Sequence, residues 1–80
     1  MVDKVIVTLT CRNHAFDIEF PADIAVEQIR PLLIQALQYK GIFVAEPFNL
    51  VCNGYTLKNS DTFLKRGVWD GSYIDLVCGD

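Results

Sequence analysis

The 80-residue sequence lacks the cysteine and histidine content of a metal or disulfide-bonded protein. It has one histidine, and its three cysteines (Cys11, Cys52 and Cys78) are widely spaced, with no Cys-x-x-Cys pair. A four-cysteine zinc or iron–sulfur site cannot be built from them within one chain. We predict that the cysteines act as small buried hydrophobic residues, and we expect no cofactor. An intermolecular disulfide stays open, with Cys78 as the cysteine best placed for it.

Clustered positive charge is also missing. The chain has seven lysines and arginines against ten acidic residues, giving a net charge of −3, and only Lys65 and Arg66 are adjacent. A nucleic-acid-binding surface needs a stripe of basic side chains that follows the phosphates. We therefore do not expect nucleic acid as a partner.

Long apolar runs are absent as well. The longest are a few residues, whereas a membrane-spanning helix needs about 20. The chain begins Met1-Val2-Asp3-Lys4 and passes directly into a strand pattern, so the sequence predicts no signal peptide. We expect a cytoplasmic protein with no integral membrane segment.

The groups that enzymes use are not assembled in any recognisable motif. His14 lies in a predicted hairpin turn, and the nearby Cys11 is expected to point into the core, which separates the two members of a Cys–His pair. No glycine-rich phosphate loop follows a strand. The carboxylate pairs lack a third group that would separate their pKa values, namely Asp17 with Glu19 and Asp70 with Asp75. We expect that the protein is not an enzyme.

The sequence does contain ample apolar material for one small domain, which we assign to residues 1–80. Hydrophobic residues make up 51% of the chain, enough to fill a core and to leave some apolar side chains exposed. Val5, Val7, Leu9 and Cys11 alternate with other residues, as in a half-buried strand. A second strand follows the turn at 12–15, with Phe16, Ile18 and Phe20 on one face.

A single helix follows Pro21. Its apolar stripe has helical spacing and consists of Val26, Ile29, Leu33, Ala36 and Leu37. Pro31 predicts an irregular first turn or a bend because proline has no amide hydrogen to donate. Gly41 fits the end of the helix.

The last third of the chain predicts short strands joined by tight turns. Leu50 and Cys52 should point inward, Val51 outward, and Asn53-Gly54 fits a two-residue hairpin turn. Thr62 and its neighbours can cap one helical turn carrying Phe63. The closing strand should place Ile74, Leu76 and Cys78 inward. These elements predict an α+β fold, a mixed sheet of four to five strands on one helix. Trp69 is either a lid at the edge of the core or an exposed recognition platform.

From Val5 to Val77 this order resembles the ubiquitin-like β-grasp, and it is most similar to the bacterial YukD/EsaB family. Three segments carry the likeness: Phe20-Pro21-Ala22-Asp23, Pro31-Leu32-Leu33-Ile34 and Trp69-Asp70-Gly71-Ser72. The resemblance implies an accessory or regulatory component of the type VII secretion system of Gram-positive bacteria. That machinery exports small helical-hairpin proteins carrying a Trp-x-Gly turn. The ending Cys78-Gly79-Asp80 agrees, because such proteins lack a terminal diglycine.

The resemblance also implies where a partner would bind. The main recognition face of ubiquitin, carried over by position, falls on Val51 and Val77, with Asp75 between them, and Ile6 belongs to the same open side. A second candidate is the apolar loop after the helix, where we expect Phe43 and Val44 to be exposed while Ile42 and Phe48 fold back. The alternative is that these are ordinary exposed apolar residues.

Two other functions stay open at this point. One is a stand-alone β-grasp adaptor in another bacterial complex, which the neighbouring genes would distinguish. The other is a ubiquitin-like covalent modifier or sulfur carrier, which needs a terminal diglycine. The identity of the protein partner and self-association into a homodimer are left undecided by the sequence.

Overall fold

The computed structural model describes residues 4–79. The expectations about the first three residues and about the terminal Asp80 lie outside the described residues. The elements are, in chain order, β1 (Lys4–Cys11), β2 (His14–Pro21), α1 (Val26–Tyr39), β3 (Phe48–Cys52), β4 (Tyr55–Thr56) and β5 (Tyr73–Cys78). The predicted α+β architecture is confirmed, with all five strands in one sheet.

The sheet has the order β2-β1-β5-β3-β4. β1 and β5 run parallel, with Leu9 opposite Ile74, and the other neighbouring pairs are antiparallel. The last strand of the chain therefore lies in the middle of the sheet, between the first and the third. Among residues 4–79, no helix is long and apolar enough to cross a membrane.

The core lies between α1 and one face of the sheet. Alternate residues of β1 and β5 point toward the helix because successive side chains in a strand lie on opposite faces. Phe20 and Phe63 meet edge to face, with their ring centroids 6.0 Å apart. The buried apolar residues include every predicted inward position of β1, Phe20 in β2, and the helix stripe except Ala36, which is half-buried. The apolar alternation therefore located the core correctly.

The first turn of α1 is held by the segment between β4 and β5. Ala25 at the N-cap makes no side-chain capping bond. Instead, the amide of Val26 donates to the carbonyl of Asp61 (2.8 Å), and that of Glu27 donates to the carbonyl of Asn59 (3.1 Å). Backbone acceptors thus satisfy amides that a helix leaves open at its start. The helix then continues through Pro31 without a break.

Asp61 fixes the segment that supplies those acceptors. Its carboxylate accepts hydrogen bonds from the amide of Lys58 (2.8 Å) and from the hydroxyl of Tyr55 (3.1 Å). The bond from Lys58, supported by that from Tyr55 and by the charge of Arg66, holds the pKa of Asp61 below its ordinary value. The guanidinium of Arg66 also lies over the Tyr55 ring, 3.6 Å from its centroid.

The end of α1 confirms the role predicted for Gly41. Its φ of 82° is the left-handed conformation that glycine adopts without a Cβ clash. The amide of Gly41 donates to Gln38 and that of Ile42 donates to Leu37, both at 2.9 Å. This is the Schellman arrangement, and it turns the chain so that Ile42 packs against the core.

Both hairpins use two-residue turns. Asn53 and Gly54 have positive φ (52° and 79°), as predicted for a tight turn. The first hairpin turns at Arg12 and Asn13 alone, so His14 already belongs to β2 rather than to the predicted turn. The predicted helical turn near Thr62 is a series of turns, in which the Thr62 hydroxyl accepts the amide of Lys65 at 3.1 Å.

Cys78 is the one cysteine whose predicted environment is wrong. Cys11 and Cys52 are buried as expected, but Cys78 is exposed. It lies at the last position of β5 opposite Phe48, the first residue of β3. The strand alternation that buries Ile74 and Leu76 continues past the end of the core, so the parity is right but no core remains for Cys78 to enter.

Candidate protein-interaction surfaces

The face of the sheet opposite α1, here called the open face, has no helix or strand packed on it within residues 4–79. Its central residues come from the three middle strands. Of these, β1 contributes Ile6, β3 contributes Val51, and β5 contributes Tyr73, Asp75 and Val77. Tyr73 was not among the sequence candidates, although its place in the β5 alternation was the signal that could have found it.

Val51, Asp75 and Val77 form a group that we call the β3–β5 patch. Val51 lies directly opposite Asp75, and Val77 lies opposite Asn49, which makes Val51 and Val77 diagonal neighbours. Such neighbours are about 7–8 Å apart, within reach of a shared partner. Val77 is 47% exposed and Val51 is half-buried. Asp75 adds a carboxylate, which is oriented by a hydrogen bond from the Thr10 hydroxyl.

Ile6 does not belong to this patch, contrary to the sequence prediction. It is exposed on the open face as expected, but its carbonyl accepts the amide of Gly71, just before β5 begins. Val77 lies six residues further along the same segment. At about 3.3 Å per residue, the two side chains are roughly 20 Å apart. The parallel pairing of β1 with β5 thus places them at opposite ends of the open face.

The loop between α1 and β3 is only partly as predicted. Phe43 is 71% exposed, while Ile42 is half-buried and Phe48 is buried, as expected. Val44 was expected to be exposed and is instead half-buried against the core. The chain is extended here, so Ile42 and Val44 point inward while Phe43 between them points out. Phe43 is therefore the one apolar side chain of this loop well placed for contact.

A groove at the lower end of β1 was not foreseen. It encloses about 300 Å³ and is lined by Val5, Leu64, Gly67, Val68, Trp69 and Asp70. Trp69 is 71% exposed, so it is not a lid on the core. Its neighbour Val68 is buried and takes the core position that the size of tryptophan suggested for Trp69. The amide of Trp69 donates to the Ser72 hydroxyl (3.0 Å), and Asp70 accepts the amide of Ile6 (2.8 Å).

The reactive side chains lie apart from these surfaces. Cys11 is the cross-strand partner of His14, but Cys11 is buried, and the His14 ring stacks on Phe16 with centroids 5.9 Å apart. Burial, followed by the nearby charge of Asp75, raises the pKa of the Cys52 thiol. Across the described part of the chain, no three histidine, cysteine or acidic side chains are grouped to hold a metal ion.

These environments predict unequal thiol reactivity. A disulfide reagent at neutral pH should modify Cys78 at least about tenfold faster than Cys11 or Cys52, because the reacting species is an accessible thiolate. Absorbance of the released chromophore would show one fast thiol and two slow ones. The Cys78→Ser variant should lose the fast phase alone, and a fast phase that persists would contradict this arrangement.

Several solved structures share the fold. The N-terminal ubiquitin-like domain of the 4931431F19Rik protein is 16% identical, with a TM-score of 0.80 over 100% of this chain and 79% of that one. The ubiquitin-like domain of the Mycobacterium tuberculosis type VII secretion system protein ECCD1 is 21% identical, with a TM-score of 0.78 over 95% and 99%. The ubiquitin of Caldiarchaeum subterraneum is 16% identical, with a TM-score of 0.73 over 96% and 95%.

No protein-family model matches the sequence. No curated protein matches it either. The structural likenesses are all below 25% identity and extend over nearly the whole chain, so they establish the architecture. The protein therefore has the ubiquitin-like β-grasp fold, with one helix packed on a five-stranded mixed sheet.

Proposed function

We propose that this protein is a non-enzymatic ubiquitin-like interaction module that serves as a cytoplasmic accessory or regulatory component of a type VII secretion system. The observation that carries the proposal is the β3–β5 patch, two aliphatic side chains beside a carboxylate on an uncovered sheet face. A surface of this kind contributes binding energy to a protein partner without any bond being made or broken.

Phe43 supplies a second contact of the same kind. A large apolar side chain contributes about 1.5–3 kcal/mol when it moves from water into an interface, and Phe43 is mostly exposed in the free protein. The buried state of Cys11 and Cys52 supports a binding role over nucleophilic chemistry. The likeness in fold to a domain of a type VII secretion protein supports the choice of system.

The test replaces each surface separately in a Gram-positive host with a type VII system, using Phe43→Asp and Val77→Asp. Both side chains are exposed, so each variant should fold while placing a charge where the partner needs an apolar contact. Affinity purification of the tagged protein should recover secretion-system components at least about tenfold less efficiently for one variant or both. Export of the small helical-hairpin proteins should change in parallel.

The matched control is Tyr39→Asp. Tyr39 is 95% exposed at the end of α1, away from the open face, and its replacement adds the same charge without touching either surface. Full capture by both Phe43→Asp and Val77→Asp would contradict the proposed surfaces. Purification of an unrelated complex in place of secretion components would contradict the type VII role and indicate the stand-alone adaptor.

A further inference from the structure

The two edges of the sheet are protected very differently. β4 forms one edge and has two residues, whereas β2 forms the other and has eight. Within residues 4–79, β2 pairs with β1 and with no other strand. Long open edges can add a further strand, and proteins usually shorten, cover or interrupt them. In β2 the only proline is Pro21, its last residue, so the strand before it is open.

The hydrogen bonds of β1 identify which groups of β2 face outward. The amide of Thr8 donates to Ser72 (2.8 Å) and the carbonyl of Ile6 accepts from Gly71 (2.9 Å), both on the β5 side. The alternate residues of β1 therefore bond to β2, where their partners are His14, Phe16, Ile18 and Phe20. This leaves the amides and carbonyls of Ala15, Asp17 and Glu19 directed away from the sheet.

The side chains along this edge alternate in character. On the helix side, Phe16 and Ile18 are half-buried and pack against the core, which leaves part of each exposed. On the open face, Asp17 and Glu19 are exposed. A strand laid against β2 would therefore meet apolar surface on one side and negative charge on the other.

We propose that the outer edge of β2 binds an extended segment of a partner protein in which apolar residues alternate with lysine or arginine. This inference rests on the proposed interaction role, but it uses a surface separate from the β3–β5 patch and Phe43. Backbone hydrogen bonds to Ala15, Asp17 and Glu19 would provide affinity, and alternate side chains would provide selectivity. Basic side chains would lie opposite the two carboxylates, and apolar ones beside Phe16 and Ile18.

The same charges disfavour a second copy of this chain as the occupant. In an antiparallel pair of β2 strands centred on Asp17, that residue lies opposite its own copy, and in a pair centred on Ile18 it lies opposite Glu19. Like charges directly across a strand pair are destabilising. The edge is therefore selective for a strand of opposite charge.

The experiment titrates the full chain with two blocked peptides, acetyl-Val-Lys-Val-Lys-Val-amide and its glutamate counterpart, at low ionic strength. Backbone amide shifts report the site. The lysine peptide should shift the amides of Ala15, Asp17 and Glu19 most strongly and bind at least about tenfold more tightly than the glutamate peptide. Equal binding of the two peptides, binding of neither, or shifts centred elsewhere would overturn the inference.

Two variants test the contacts. Ala15→Pro removes one outward amide and obstructs the edge without removing a hydrogen bond to β1, and it should abolish binding, while Ala15→Ser should retain it. Glu19→Lys leaves the backbone intact and should reverse the preference toward the glutamate peptide. Unchanged selectivity of Glu19→Lys would overturn the proposal even if Ala15→Pro failed to fold. Phe43→Asp and Val77→Asp should bind the lysine peptide normally, so failure at this edge is distinguishable from failure of the proposed function.

Discussion

Replacing Phe63 with alanine should leave much of the protein unfolded at 25 °C. Phe63 is 1% exposed and meets Phe20 edge to face in the middle of the core. A buried phenylalanine truncated to alanine costs about 3–5 kcal/mol, since apolar contacts are lost and a cavity remains. At about 0.05–0.15 kcal/mol per residue, a chain of this size has roughly 4–12 kcal/mol of stability. Urea denaturation followed by circular dichroism would measure the loss.

The adjacent Leu64 provides a matched control. It is 57% exposed, so Leu64→Ala should change the free energy of unfolding by no more than about 0.5 kcal/mol. The two variants remove side chains from neighbouring positions in the same turn. Similar losses in both would mean that Phe63 does not hold the core position described here.

Replacing Arg30 with alanine should give the second large effect. The Arg30 guanidinium joins α1 to two distant segments: Nε donates to the Asn59 side chain and Nη1 donates to the Phe48 carbonyl, both at 2.8 Å. It also lies 4.9 Å from the centroid of the Phe48 ring. Hydrogen bonds to a charged group contribute about 1.5–3 kcal/mol each and are not additive, so we expect Arg30→Ala to lower the free energy of unfolding by about 2–3 kcal/mol.

Arg30→Lys distinguishes this geometry from simple positive charge. A lysine ammonium lacks the planar fork that bonds to Asn59 and Phe48 together while lying against the ring, so we expect it to recover less than half of the loss. Gln35→Ala, at an exposed position of the same helix, should have an effect of about 0.5 kcal/mol or less. Full recovery by lysine would show that the fork is not what stabilises the protein.

The features that the sequence predicted correctly depend on neighbours close in the chain. The alternation from Val5 to Cys11 has a period of two residues, and Asn53-Gly54 matches the backbone of its turn. The fate of Gly41 is equally local, because the hydrogen bonds that end α1 come from residues within the preceding turn. Each of these patterns is complete within a dozen residues.

The errors concern features decided by distant segments. Ile6 was grouped with Val77 because both lie on the open face, but the pairing of β1 with β5 sets their separation. Cys78 followed the correct alternation beyond the end of the core. Trp69 was given an alternative role as a lid on account of its size, while the position itself went to Val68. Register and the extent of the core are set by contacts between segments far apart in the chain.

The central position of β5 has a consequence for how the protein is made. During synthesis β1 emerges first and can pair with β2, but its other neighbour, β5, begins at Tyr73. Contacts between segments this far apart form slowly, because a long stretch of chain must be ordered before they are made. Until then the nascent chain exposes an apolar strand edge that is fully covered in the finished protein. The mature molecule thus has one long open edge, and the growing chain passes through a stage with a second.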